Sequence, residues 1–236
     1  MTLEEFSNEF DTMLNSYKLP ERFGVQSEFM MIKLDEYEKS VYLTQAENEL
    51  VIEWYNGRNI AGLGYEQTEE VRRLLAPLNT IESITSFTVI PGLSDNSKMF
   101  RFGEDREVLF ITQEQARIAS DDPCLNGQWV DVIPVRRDIY NKIKRNPFKN
   151  KKVFRIDRDI NVIELTSNYN VDVYKVSYLR KPLPIILENL DNGLTINGLS
   201  LATPCELPEV LHQTILERAV LKAFNYMATG ISNKKE

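Results

Sequence analysis

The sequence predicts an α+β fold: a helical bundle formed by N- and C-terminal helices, with a β-rich domain inserted between them. Three observations carry this. Apolar residues at helical spacing, with capping signals, fill the first 80 residues. Runs of β-branched and aromatic residues, punctuated by Gly, Asn and Asp, fill the middle. One long helical pattern then returns at the end. That order assigns residues 1–80 plus 204–236 to a helical core and residues 81–203 to a β-rich insertion.

Thr2 and Glu5 have capping-box spacing, and Phe6, Phe10, Met13 and Leu14 follow at helical intervals, which predicts a short amphipathic first helix. Pro20 and Gly24 mark a connection. Asp35 and Glu38 repeat the capping-box spacing, and Leu43, Ala46, Leu50 and Trp54 form a stripe that Asn56 and Gly57 end. Acids dominate this second helix: Asp35, Glu36, Glu38, Glu47, Glu49 and Glu53 stand against the single base Lys39, which predicts an acidic face. A third helix fits YEQTEEVRRLLAPL, with Thr68 as its cap, Glu69 and Glu70 at its positive end and Pro77 closing it.

Strands are predicted at Ile81–Pro91, Lys98–Phe102 and Val108–Ile118, with turns at Gly92–Asn96 and Gly103–Asp105. Trp129–Val135 continues the series, a short helix around Ile139, Tyr140 and Ile143 must stop at Pro147, and strands resume at Val153–Asp157, Asn161–Thr166 and Val171–Leu179. Leu187–Pro204 reads as loop, with hairpin-type signals at Asn192-Gly193 and Asn197-Gly198. Pro208 suits the first turn of a last helix, whose apolar side runs from Leu211 to Met227 before Gly230.

The 236 residues, 42% of them hydrophobic, suffice to bury a core, and the formal net charge of −7 argues against a general nucleic-acid binder. The start MTLEEFSNEF lacks the basic and apolar regions of a signal peptide, and no apolar run approaches the roughly 20 residues that span a bilayer. No membrane association is expected. Cys124 and Cys205 lack CxxC spacing, and with His212 as the only histidine a zinc site is poorly supplied. A disulfide between the two thiols stays open.

Chemistry is otherwise nearly silent. His212 falls within a predicted helix and reads as a surface or interface residue rather than a base. The pairs Glu4-Glu5, Glu69-Glu70 and Asp121-Asp122 read as solvated or helix-start charge, and Gly62 with Gly64 as a turn between helices, since no GxxG or GK[ST] follows. No catalytic residue, cofactor site or metal site is predicted.

The basic stretch is the stronger signal. Arg136, Arg137, Lys142, Lys144, Arg145, Lys149, Lys151, Lys152, Arg155 and Arg158 are opposed only by Asp138 and Asp157. It is either a solvated edge or a docking surface for an acidic protein. DNA is less favoured, because Tyr140, Phe148 and Phe154 are too few to distinguish a stacking platform from core packing.

Four stretches carry a family likeness: LDEYEKSVYLTQAENELVIEWYNG from Leu34, YEQTEEVRRLLAPL from Tyr65, YNKIKRNPFK through YLRKPLPIIL, and CELPEVLHQTILERAV from Cys205. Together they cover most of the chain and resemble the head-to-tail adaptor, or connector ring, proteins of podovirus-type, crAss-like tailed bacteriophages. The resemblance implies a structural virion protein without enzymatic turnover, assembled in the host cytoplasm into a closed, twelvefold ring. It implies docking on the portal protein and on further tail or ring proteins, with double-stranded DNA passing through the lumen unbound. A tail terminator or tail-tube ring protein is the alternative, and after it a soluble enzyme. In the ring reading the acidic second helix and the basic stretch could supply the opposite faces that closure requires.

Overall fold

Fourteen residues with phenylalanines four apart make the first helix. In the computed structural model, which describes residues 1–17, 33–59, 62–87, 96–102, 107–143, 152–159, 161–191 and 193–232, α1 spans Leu3–Ser16. The Thr2 hydroxyl accepts from Glu5 N and the Glu5 carboxylate accepts from Thr2 N, so two otherwise orphaned donors are satisfied. Phe6, Phe10 and Leu14 lie on one side and are buried, a face contributing roughly 2 kcal/mol per side chain. The chain divides into two units, residues 1–77 with 182–236, and residues 78–181.

In the first unit, α2 (Glu36–Tyr55) starts from the Asp35–Glu38 capping box and buries Leu43, Ala46, Leu50 and Val51. A short α3 (Glu69–Leu75) runs into a 3-10 turn at Ala76–Leu78. Thr68 holds the N-cap position, but its hydroxyl makes no capping bond and lies buried with no hydrogen-bond partner among the described residues. The helix start relies instead on Glu69 and Glu70 near its positive end. The last helix, α5 (Glu209–Ser232), packs on α1 and α2. It runs through Gly230 rather than ending before it; a glycine inside a helix costs only about 1 kcal/mol, too little to stop one that other contacts support.

A boundary also moves. Residues 182–203, expected to close the β-rich insertion, belong to the helical unit. Ile185 and Ile186 are buried, Thr44 Oγ1 donates to the Ile185 carbonyl at 3.3 Å, and Leu187 N donates to Ser40 Oγ at 3.0 Å. Ile186 pairs with Thr203 and Ile196 with Leu199, around a turn in which Asn197 (φ 49°) and Gly198 (φ 83°) take left-handed backbone. Asn192 lies outside the described residues.

The α2–α3 connection is held by a close backbone approach. Gly57 ends α2 with φ 70°, and Tyr65 N donates to the Tyr55 carbonyl at 3.2 Å while the two tyrosine rings stack. A Cβ on Gly64 would stand 2.9 Å from that same Tyr55 oxygen. Gly64→Ala is therefore expected to force the connection apart and to lower stability by about 1–3 kcal/mol in a denaturant titration. Gly62→Ala, which meets no atom within 4 Å but sits at φ 65°, is expected to cost less.

The second unit is a curled mixed sheet. Its strands are β1 (Asn79–Ile84), β2 (Lys98–Arg101), β3 (Val108–Ala119), β4 (Trp129–Pro134), β5 (Val153–Asp159), β6 (Val162–Thr166) and β7 (Asn170–Arg180), with α4 (Arg137–Ile143) between β4 and β5. The strand order is β1-β7-β3-β4-β5-β6-β2, and only β4 and β5 run parallel. β4 joins the halves, pairing with β3 through residues 129–131 and with β5 through 132–134. The inner side is lined by Phe100 and Phe102 near β2, Ile163 and Leu165 on β6, and Tyr174, Val176 and Tyr178 on β7. That period of two is what a sheet with one buried face requires.

β1 ends at Ile84, where its ladder on β7 runs out at the Ile84–Tyr174 pair; of the expected strand Ile81–Pro91, residues 85–87 are not in a strand and residues 88–91 lie outside the described residues. The expected turns at Gly92–Asn96, apart from Asn96, and at Gly103–Asp105 lie outside the described residues, as do Pro147 and the tail after Ser232.

Candidate functional site

Of the ten basic positions, Lys144, Arg145, Lys149 and Lys151 lie outside the described residues. The other six divide between the interior and the surface. Arg155 points inward from β5, 11% exposed, with Nη1 2.9 Å from Glu114 Oε1 on β3 and Nε 3.1 Å from Asp157. Tyr174 on β7 donates to the other Glu114 oxygen at 2.8 Å. Burial pushes the Glu114 carboxyl above its ordinary range, while Arg155 and the Tyr174 hydroxyl pull it back. This network joins strands from both halves of the sheet. Arg158 Nε donates to Glu164, whose side chain is buried, at 2.7 Å. Both arginines are thus spent within the chain.

The remaining four cations surround α4. Its inner side chains, Tyr140 and Ile143, pack with Phe154 and Ile156 on the outside of β5, and the Tyr140 hydroxyl meets Thr166 at 2.9 Å. Tyr140 and Phe154, the aromatics considered for base stacking, are therefore core; Phe148 lies outside the described residues. With that side committed, α4 turns Arg137, Lys142 and Ile139 outward, Ile139 at 38% exposure. Arg136 is exposed and pairs with Asp138 at 3.1 Å, and exposed Lys152 leads into β5. The result is a basic platform with an apolar side chain in it, and three of its cations, Arg137, Lys142 and Lys152, have no carboxylate partner among the described residues.

The acidic second helix does not become an acidic face. Glu49 is bound by Lys222 and Glu53 by Arg218, both at 2.6 Å from α5. Glu47 is buried and accepts from the Cys205 thiol at 3.2 Å; burial, and then that carboxylate, push the thiol pKa far up. Asp35 and Glu38 cap the helix. Lys39, 0% exposed, donates to Ser7 Oγ at 3.0 Å, Asp11 at 2.8 Å and Glu36 at 2.9 Å, tying α2 to α1. The one signal for this ion cluster was the Glu36–Lys39 spacing of three; its third member, Asp11, is 28 residues away.

Acids also stand outward on α1. Glu4, Glu5 and Glu9 are exposed, and the helix holds no base.

His212, expected at a surface or interface, is buried at 5% exposure. Its Nε2 donates to the Leu207 carbonyl at 2.8 Å and its ring packs on Phe6. Burial lowers its pKa, against the pull of that carbonyl. Cys124 and Cys205 are both free thiols. Among the described residues no group of three His, Cys, Asp or Glu could hold a metal ion, and no helix is long and apolar enough to cross a membrane.

Comparison with known proteins supplies what chemistry withholds. The family model for phage tail ring protein 3/4 matches residues 1–235. Ring protein 3 of Bacteroides phage crAss001 is 43% identical over the whole of both chains. Ring protein 4/5 of the same phage is 29% identical, over 93% of this chain and 91% of its own.

Proposed function

We propose that this chain, which belongs to the phage tail ring protein 3/4 family, is the subunit of a head-to-tail adaptor ring that docks on the portal and extends the DNA channel toward the tail. The family is one of structural phage ring proteins, and the chain is not an enzyme. The observation that carries the reading is likeness along the full length: both units fall within the match, so neither is an unrelated addition. Subunits of a closed ring meet through two different surfaces, and the basic platform on α4 supports one such surface.

Charge supports the channel. The helical unit holds 21 acidic and 11 basic residues, the β-rich unit 14 and 17. A wall built from the acidic unit repels phosphates and lets DNA slide past. The ring is twelvefold, its partners are the portal protein and further tail or ring proteins, and its place is the portal–tail junction of the virion.

Quantitative peptide mass spectrometry of gradient-purified virions tests this. Copy number equal to that of the portal protein is expected. Half that number would replace the adaptor with a sixfold tail component, and absence from the particle would overturn the reading.

A further inference from the structure

Among the described residues, the internal ion pairs leave a basic surface on α4 and an acidic one on α1 facing outward. On α4 and the start of β5 the cations are Arg137, Lys142 and Lys152, with Arg136 shared with Asp138, around exposed Ile139. On α1 the acids are Glu4 and Glu9, with Glu5 shared with the Thr2 capping box. The buried side of α1, Phe6, Phe10 and Leu14, leaves this strip facing out, and no Lys or Arg occurs between Met1 and Tyr17.

We infer that the basic platform of one copy docks on the acidic face of α1 of the next copy. This rests on the ring reading above and names the partner that the platform meets. Charge complementarity selects α1 over the other helices. The α2 acids are taken up by Lys39, Lys222, Arg218 and the capping box, and α3 carries Arg72 and Arg73 beside its acids. Among the described residues α1 is the helix with acids and no base. The contact is heterologous, since platform and acidic face are different surfaces, so repetition around an axis closes a ring. Ile139 supplies the apolar centre that such an interface needs, with the charges steering approach and fixing register.

The test uses the full chain and self-association followed by mass photometry and negative-stain electron microscopy at low and high salt. Glu4→Lys with Glu9→Lys is expected to weaken self-association at least tenfold, and Arg137→Glu with Lys142→Glu to do the same. Circular dichroism of both should match the unsubstituted protein, because all four side chains are exposed. The four substitutions combined restore opposite charges and are expected to recover assembly. Higher salt should weaken the unsubstituted contact.

Several results would overturn the inference. They are assembly of either pair of reversals as in the unsubstituted protein, a fourfold variant no better than the two pairs, and a purified chain that stays monomeric throughout. The virion copy number is measured separately. If it holds while the reversals have no effect, the ring stands and only this interface is lost.

Discussion

Lys39→Met is expected to lower the stability of the helical unit by about 3 kcal/mol and its thermal midpoint by about 10 °C. The ammonium is buried and satisfies Ser7, Asp11 and Glu36 together. Removing it leaves two carboxylates facing one another beside apolar helix surface, and truncating one side of a buried ion cluster costs more than the cluster contributes. The loss falls at the low end of the range for such clusters because Asp11 and Glu36 keep 31% and 32% of their side-chain surface in water. Burial alone would lower the Lys39 pKa; the hydrogen bonds and charges of Asp11 and Glu36 outweigh it, so the value lies above the ordinary 10.5. A raised value means the folded state holds the proton more tightly than the unfolded one. This contribution is therefore fully present below pH 10.5 and fades as the pH climbs through the higher folded value. Thermal melts of both proteins should differ by a constant margin across neutral pH and converge as the pH climbs into strong alkali. Equal midpoints at pH 7 would show that the cluster holds nothing together.

Local signals in the sequence carried the elements well, and long-range consequences poorly. The capping boxes at Thr2 and Asp35 and the stripes beneath them predicted α1 and α2, because a helix is set by neighbours three and four residues apart. The period-two runs predicted β3, β5, β6 and β7 for the same reason. What failed were outcomes decided by distant residues. An acidic count in α2 says nothing of Lys222 and Arg218, some 170 residues on, which neutralise Glu49 and Glu53. Leu187–Pro204 reads as loop by composition and no local signal separates residues 182–203 from the insertion, yet Ile185 and Ile186 are buried beside α2, which only the fold reveals. In the basic stretch, alternation placed Arg155 on the same side of β5 as buried Val153, a hint that it points inward. Without the Glu114 partner in view, it counted with the surface cations.

That division sets the second large effect. Arg155→Met is expected to destabilise the β-rich unit by about 3 kcal/mol at neutral pH, whereas Arg137→Met should change stability by less than about 0.5 kcal/mol, as exposed substitutions do. Arg155 is the cation beside Glu114, whose side chain is 7% exposed, and the Tyr174 hydroxyl alone cannot balance a buried carboxylate charge. Without the guanidinium the Glu114 carboxyl, already raised by burial, rises further. A carboxyl with a folded pKa above its unfolded value gains stability as the pH falls through that folded value and loses it as the pH rises. The deficit of Arg155→Met relative to the unsubstituted protein should therefore be widest at neutral pH and narrow on acidification, as Glu114 takes up a proton and becomes a neutral partner for Tyr174. Urea titrations of both proteins across that range provide the measurement. A deficit that does not change with pH would mean that Arg155 acts by filling space rather than by balancing charge. The absence of any deficit would return Arg155 to the set of cations available to a partner.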